Sequence, residues 1–163
     1  MDILSFLVII PILTVIVLLF VKELKHVRVI SATGMFIELL LTIKILFDYI
    51  AERASGNDSE MVFQKSYQWF ESINIQYNVG VDGISVVMIL LTGIIIFTGI
   101  FASWKVEYLS KEFFISLIIL STGVLGFFIS LDLFTMFLFY EVAVLPMYLL
   151  IVSGDKTYLF ASS

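Results

Sequence analysis

Five long stretches of the chain carry almost no polar side chain: Ile3–Val21, Val29–Ile50, Ile84–Ser103, Phe113–Leu131 and Leu133–Val152. A helix of about 20 apolar residues crosses the roughly 30 Å of a bilayer's hydrocarbon. Lipid offers no partner to an open backbone group, so each stretch is expected to be a helix. Three of the five hold no charge, Leu133–Val152 holds only Glu141, and Val29–Ile50 holds Glu38, Lys44 and Asp48. The fold class that follows is an all-α integral membrane protein, with residues 1–163 as a single membrane domain.

The first stretch is expected to stay in place. A cleaved signal peptide has a basic segment ahead of its apolar core. Here only Met1 and Asp2 precede the core, and the positive charges follow it.

The segment 51–83 is the one sizeable extramembrane piece and is expected to be an outer loop. Gly56-Asn57-Asp58-Ser59 reads as a turn. Ile73, Ile75, Tyr77 and Val79 alternate with Asn74, Gln76 and Asn78, the period of a short strand. Tyr67, Trp69 and Phe70 suit the headgroup level. Asn57-Asp58-Ser59 also fits a glycosylation sequon, a three-residue match read here as chance.

Lys and Arg in short loops set orientation. Lys22, Lys25, Arg28, Lys105, Lys111 and Lys156 fall on one side, Arg53 and Lys65 on the other, six against two. The N-terminus is therefore expected outside and the tail inside.

Composition supports this class and removes others. The chain is 61% hydrophobic and 14% charged, with a mean hydropathy of +1.11, where soluble domains carry roughly 25% charge. The net charge of −5 lacks the basic stripe of a nucleic-acid partner. With no cysteine and one histidine, thiolate-held iron–sulfur clusters, c-type haem and a zinc site are not expected. Neither common glycine-rich nucleotide loop occurs.

The candidate chemistry is in the intramembrane charges. Glu141 lies eight residues past Leu133, about 12 Å along the helix. A carboxylate at that depth costs roughly 2.5–3.5 kcal/mol on insertion scales, so it is expected to face protein or water. Pro146 in the same span cannot donate to the Val142 carbonyl, which becomes available to water or a polar group. Glu141 is read as a proton relay, with a structural ion pair as the alternative. Glu38 is the weaker candidate. Ser31, Gly34, Glu38 and Thr42 form a stripe of the kind that marks a helix contact, so Glu38 is expected to face protein, as relay or as hydrogen-bond anchor.

The remaining polar positions have simpler readings. Lys44 and Asp48 are spaced to pair near a helix end. Asp82 and Asp132 are placed as N-caps, and His26 joins the basic cluster. Thr122, Gly126 and Ser130 recur every four residues, a close-packing face.

Tyr140-Glu141-Val142-Ala143-Val144-Leu145-Pro146-Met147-Tyr148-Leu149-Leu150-Ile151 resembles the helix-5 motif of the large antiporter-like subunits of respiratory complex I. Gly80-Val81-Asp82-Gly83-Ile84-Ser85, the helix end Ala102-Ser103-Trp104 and Leu131-Asp132-Leu133-Phe134 fit the same family. The likeness is strongest from Gly80 to Ile151 and favours subunit M of NADH:quinone oxidoreductase, notably at Leu145-Pro146-Met147-Tyr148.

The resemblance implies that the five helices are the N-terminal part of a larger antiporter-like bundle, a translocase subunit of the enzyme. It implies that Glu141 serves proton translocation with a lysine on a later helix. It also implies no quinone, flavin or NADH site in this chain, with FMN, iron–sulfur clusters and quinone elsewhere in the complex. The implied partners are the other membrane subunits, the rest of the antiporter-like subunit and the lipid bilayer, in an energy-transducing membrane, bacterial inner membrane first. The family's later lysines lie beyond the five helices read here, so a fragment or a split subunit is expected. Alternatives are a subunit of a multisubunit sodium/proton antiporter and a truncated scaffold without transport.

Overall fold

The computed structural model describes residues 3–56, 59–70, 75–105 and 110–161. Five helices and a two-stranded hairpin follow in order: α1 (Ile3–Phe20), α2 (Leu24–Ala54), β1 (Val62–Phe70), β2 (Ile75–Val81), α3 (Gly83–Ala102), α4 (Lys111–Ile129) and α5 (Leu133–Ala161). All five helices contain a stretch long and apolar enough to cross a membrane.

α2 begins at Leu24 and ends at Ala54, beyond both ends of the apolar stretch Val29–Ile50. Hydropathy marks the span, whereas a helix continues into the headgroups for as long as its backbone bonds are made. Lys25, His26 and Arg28 thus lie on the first turns of α2, and His26 Nδ1 sits 3.0 Å from Glu23 Oε2. α5 likewise runs past Val152 to Ala161.

α4 is the hub. It packs against α1, α2, α3 and α5, and α2 also packs against α1 and α3, while the principal contact of α5 is with α4 alone. Two apolar clusters bracket the bundle. One joins Leu4 and Leu7 of α1, Ile45 of α2, Val79 and Val81 of β2, Val86 and Ile89 of α3, and Leu125 and Ile129 of α4. The other joins Leu18, Val27, Met35, Ile96, Ile100, Phe114 and Ile118 at the basic end. Lys111 of α4 donates to the Leu19 carbonyl at 2.9 Å, satisfying a group that the end of α1 leaves open.

The segment expected as an outer loop holds the hairpin. β1 pairs antiparallel with β2, Tyr67 opposite Tyr77 and Ser66 opposite Asn78, with a register shift between Val62 and Lys65. Phe63 has φ 58° at that shift, where an extra residue bends the strand. Part of the expected strand, Ile73 and Asn74, lies outside the described residues, as do Asn57 and Asp58 of the expected turn and sequon. The hairpin is joined to the α4–α5 corner: Val79 bridges Ser130, and Leu131 N–H donates to the Asn78 carbonyl at 2.9 Å.

Candidate functional site

α2 buries one stripe, Ser31, Gly34, Met35, Glu38, Thr42 and Ile45, because these positions recur at three and four residues. Gly34 lets α1 approach. A methyl there would lie 2.5 Å from the hydroxyl oxygen of Thr14. One turn past Glu38, Thr42 meets Gly93 of α3, where an added methyl would lie 2.9 Å from the threonine oxygen. Glu38 therefore sits between two close helix crossings. It is 2% exposed, and neither carboxyl oxygen has a hydrogen-bond partner among the described residues. The Ser31 hydroxyl is fully buried and equally unpartnered.

Glu141 has the opposite setting. α5 meets α4 at Phe139 and Ala143, and its buried positions Thr135, Phe139 and Pro146 recur at the spacing of that same face. At 3.6 residues per turn, Glu141 lies roughly 160–200° around the helix from Phe139 and Ala143. It projects from the uncovered face of α5, with Phe137, Tyr140, Val144, Leu145 and Tyr148 exposed around it. Only 11% of the α5 span is buried, against 44% for α4. The two candidate carboxylates are not brought together, since Glu38 is inside the bundle and Glu141 is beyond α4.

The lesser polar residues have local roles. Lys44 Nζ and Asp48 Oδ2 are 2.6 Å apart and both partly exposed. Asp82 caps α3, its carboxylate accepting from Ser85 N–H at 2.7 Å. That bond, made to the charged form, holds the Asp82 carboxyl below the usual aspartate range. Asp132 accepts from Phe134 and Thr135 N–H at 3.1 and 3.3 Å. Among the described residues no group of three or more His, Asp or Glu is placed to hold a metal ion.

Sequence reasoning missed Thr14 and Gly93, the counterparts of the α2 stripe. Thr14 sits among apolar residues and Gly93 beside Thr92, and no local pattern singles either out. Their importance comes from pairing across helices, which one sequence does not display.

Comparison with known proteins gives a consistent assignment. No family model matches the chain. It is 37% identical over 154 residues to NADH-quinone oxidoreductase subunit M of Buchnera aphidicola, covering 91% of this chain and 30% of that protein. It is 34% identical over 124 residues to NAD(P)H-quinone oxidoreductase chain 4 of the Mesostigma viride chloroplast, covering 76% and 24%. Among solved structures, a chain of respiratory complex I from Thermus thermophilus with bound NADH superposes with a TM-score of 0.69 at 19% identity, covering 88% of this chain and 27% of that one. A chain of the archaeal membrane-bound sulfane sulfur reductase gives 0.74 at 16% identity, covering 91% and 22%. The chain spans between about a quarter and a third of the length of the curated relatives named here.

Proposed function

The chain is homologous, over most of its length, to the antiporter-like subunit M (chain 4) of the NAD(P)H-quinone oxidoreductases, and we propose that it forms the corresponding part of a proton-translocating membrane-arm subunit. In this reading Glu141 is a proton-carrying side chain. It works in a bundle whose remaining helices cover the open face of α5 and supply its cationic partner.

One observation carries the reading: a single carboxylate in an apolar span stands on a face that the described helices leave bare. Intramembrane acids face protein or water, not acyl chains. A protein neighbour on that face gives Glu141 the environment that an ionisable group needs. Pro146, five residues on, leaves the Val142 carbonyl without a helix donor, a second polar group on the same stretch. Glu38 is the second candidate carrier. The proposed setting is an energy-transducing membrane, with the basic end of α2 inside and the N-terminus outside, as the positive-charge asymmetry favours.

The test is Glu141→Gln in the native assembly in sealed vesicles, with quinone-linked oxidation and proton uptake followed together. The expected result is full assembly with proton uptake reduced by at least about tenfold. Unchanged uptake rejects the relay. Sodium uptake in place of proton uptake, in an assembly without flavin or iron–sulfur absorbance, assigns the chain to a cation antiporter instead.

A further inference from the structure

An unbroken row of aromatic rings follows the outer seam between α2 and α3. Phe36 of α2 meets Phe97 of α3 with ring centroids 5.8 Å apart. Phe97 meets Phe101 at 4.8 Å, and Phe101 stacks on Trp104 at 5.7 Å with the ring planes 13° apart. Phe97 packs inward against the buried cluster that holds Met35, Ile96 and Ile100. Phe36 and Phe101 are about half exposed, so the row lies on the surface of the described bundle. From Phe97 to Trp104 the chain advances about 10 Å at the helical rise. One leaflet supplies about half of the roughly 30 Å of hydrocarbon. The rings therefore cover most of a single leaflet's depth and stop where α3 stops.

That end of the row is cationic. The contacts of Phe36 with Phe97 and of Thr42 with Gly93 show that α2 and α3 run antiparallel and fix their register. Continued toward the basic end, the register sets Arg28 level with Lys105, and Lys25 about one turn further out. Lys25 precedes Phe36 by eleven residues, about three turns, and so stands on the same face of α2. Lys25 and Lys105 are exposed and enter no ion pair among the described residues. Glu23, the acid nearest Lys25 in sequence, is 3.0 Å from His26, and Glu107 lies outside the described residues. Lys111 belongs elsewhere, donating to the Leu19 carbonyl of α1. At the opposite end of α2 the cations are answered: Lys44 pairs with Asp48, and Arg53 lies over the Tyr49 ring at 5.2 Å.

We propose that this seam binds an anionic phospholipid, with its phosphate among Lys25, Arg28 and Lys105 and one acyl chain along Phe36, Phe97 and Phe101. Charge complementarity selects this occupant. A soluble anion would engage the cations and leave the rings bare, and an uncharged hydrocarbon chain would do the reverse. A phospholipid of net negative charge meets both halves with one molecule, at the depth where each half lies. Clusters of Lys and Arg beside a membrane attract anionic headgroups, and the planar fork of an arginine suits a phosphate. Trp104 stands between the two halves, the level at which an indole is at home. The site is separate from the proton carriers proposed above: Glu38 is two residues from Phe36 and so lies across α2, on its buried face.

The test uses the whole native assembly reconstituted in phosphatidylcholine vesicles. A small, fixed fraction of the lipid is phosphatidylglycerol or phosphatidylcholine with a photoreactive diazirine at the end of one acyl chain. After illumination, adducts on this chain are mapped by peptide mass spectrometry. The expected result is labelling at Phe36, Phe97 and Phe101 that is at least about fivefold stronger from phosphatidylglycerol, the attraction of about one surface cation. At an ionic strength of about 1 M, where the Debye length is about 3 Å, that excess shrinks. Lys105→Gln alone is expected to reduce it several-fold, and Lys25→Gln, Arg28→Gln and Lys105→Gln together to make the two lipids equal. Lys44→Gln, near the other end of α2, keeps it. Equal labelling by the two lipids in the wild type, or an excess that survives the triple substitution, overturns the proposal. So does the absence of lipid adducts on the seam, the sign of a protein neighbour covering it. Should the triple variant fail to assemble, the excess in Lys105→Gln alone decides, since that residue lies beyond the end of α3.

Discussion

The backbone of Ala143 in α5 rests on Gly123 in α4, so closely that a methyl on Gly123 would lie 2.6 Å from the Ala143 nitrogen. Glu141 is two residues from that contact. The glycine therefore does more than admit a neighbour: it fixes the rotation of α5 that turns Glu141 away from the described bundle. Gly126 repeats the device three residues on, beneath the ring of Phe139.

Gly123→Ala is accordingly expected to destabilise the α4–α5 pair by about 1–3 kcal/mol, the usual range for overpacking. The obstacle is backbone, which cannot swing aside as a side chain can. Gly99→Ala is the control, because the nearest atom to its added methyl is 3.8 Å away. There the smaller backbone entropy of alanine is expected to yield a gain of about 0.5–1 kcal/mol. Denaturant unfolding of the two variants in detergent, followed by far-UV circular dichroism, should move in opposite directions.

Lys44 and Asp48 form a close pair, but both side chains are substantially exposed, at 61% and 39%. Such i,i+4 pairs contribute only about 0.3–0.5 kcal/mol. Lys44→Gln is expected to change stability by no more than that and to leave ion translocation intact. A large transport defect in this variant would make Lys44 a working cation and overturn its structural role.

Asp82→Ala removes the cap of α3 and is expected to cost about 1 kcal/mol. The sign of its pH dependence is fixed. The folded state holds this carboxyl below its usual range through Ser85, so the contribution is present above the unfolded value. It is lost as pH falls through the folded value. Wild type and variant should keep a constant difference from neutrality down to about pH 4 and converge below it. Convergence on the alkaline side would contradict the assignment.

Gly34→Ala is expected to push Thr14 out of place, since the added methyl would meet both its hydroxyl and methyl groups, at 2.5 and 2.6 Å. The combination Gly34→Ala with Thr14→Ala should recover much of the loss, because residues in contact couple. A double-mutant cycle on thermal stability measures this. Additive losses would show that α1 and α2 do not meet at this point.

The sequence makes the five spans legible because apolar runs of that length have few other uses. The inward face of α2 is legible too, since Ser31, Gly34, Glu38 and Thr42 differ in character from Phe36, Ile37 and Leu40 around them. The orientation of Glu141 is not. Phe137, Val144, Leu145 and Tyr148 share its face, and in a lipid-facing helix apolar residues mark outside as readily as inside. β1 also escapes notice, because Gln64, Lys65, Ser66 and Gln68 give it no apolar alternation. Its pairing with β2 and the bridge to Ser130 are tertiary facts.

The bond from Leu131 to Asn78 has a consequence for biogenesis. Its two ends are separated by α3 and α4, and they meet only if that helix pair threads the bilayer as a there-and-back loop. A mis-threaded nascent chain, with the α4–α5 corner emerging on the wrong surface, would leave the hairpin without its anchor. Correct insertion is thus rewarded after the fact, by a contact too short-ranged to tolerate an inverted segment.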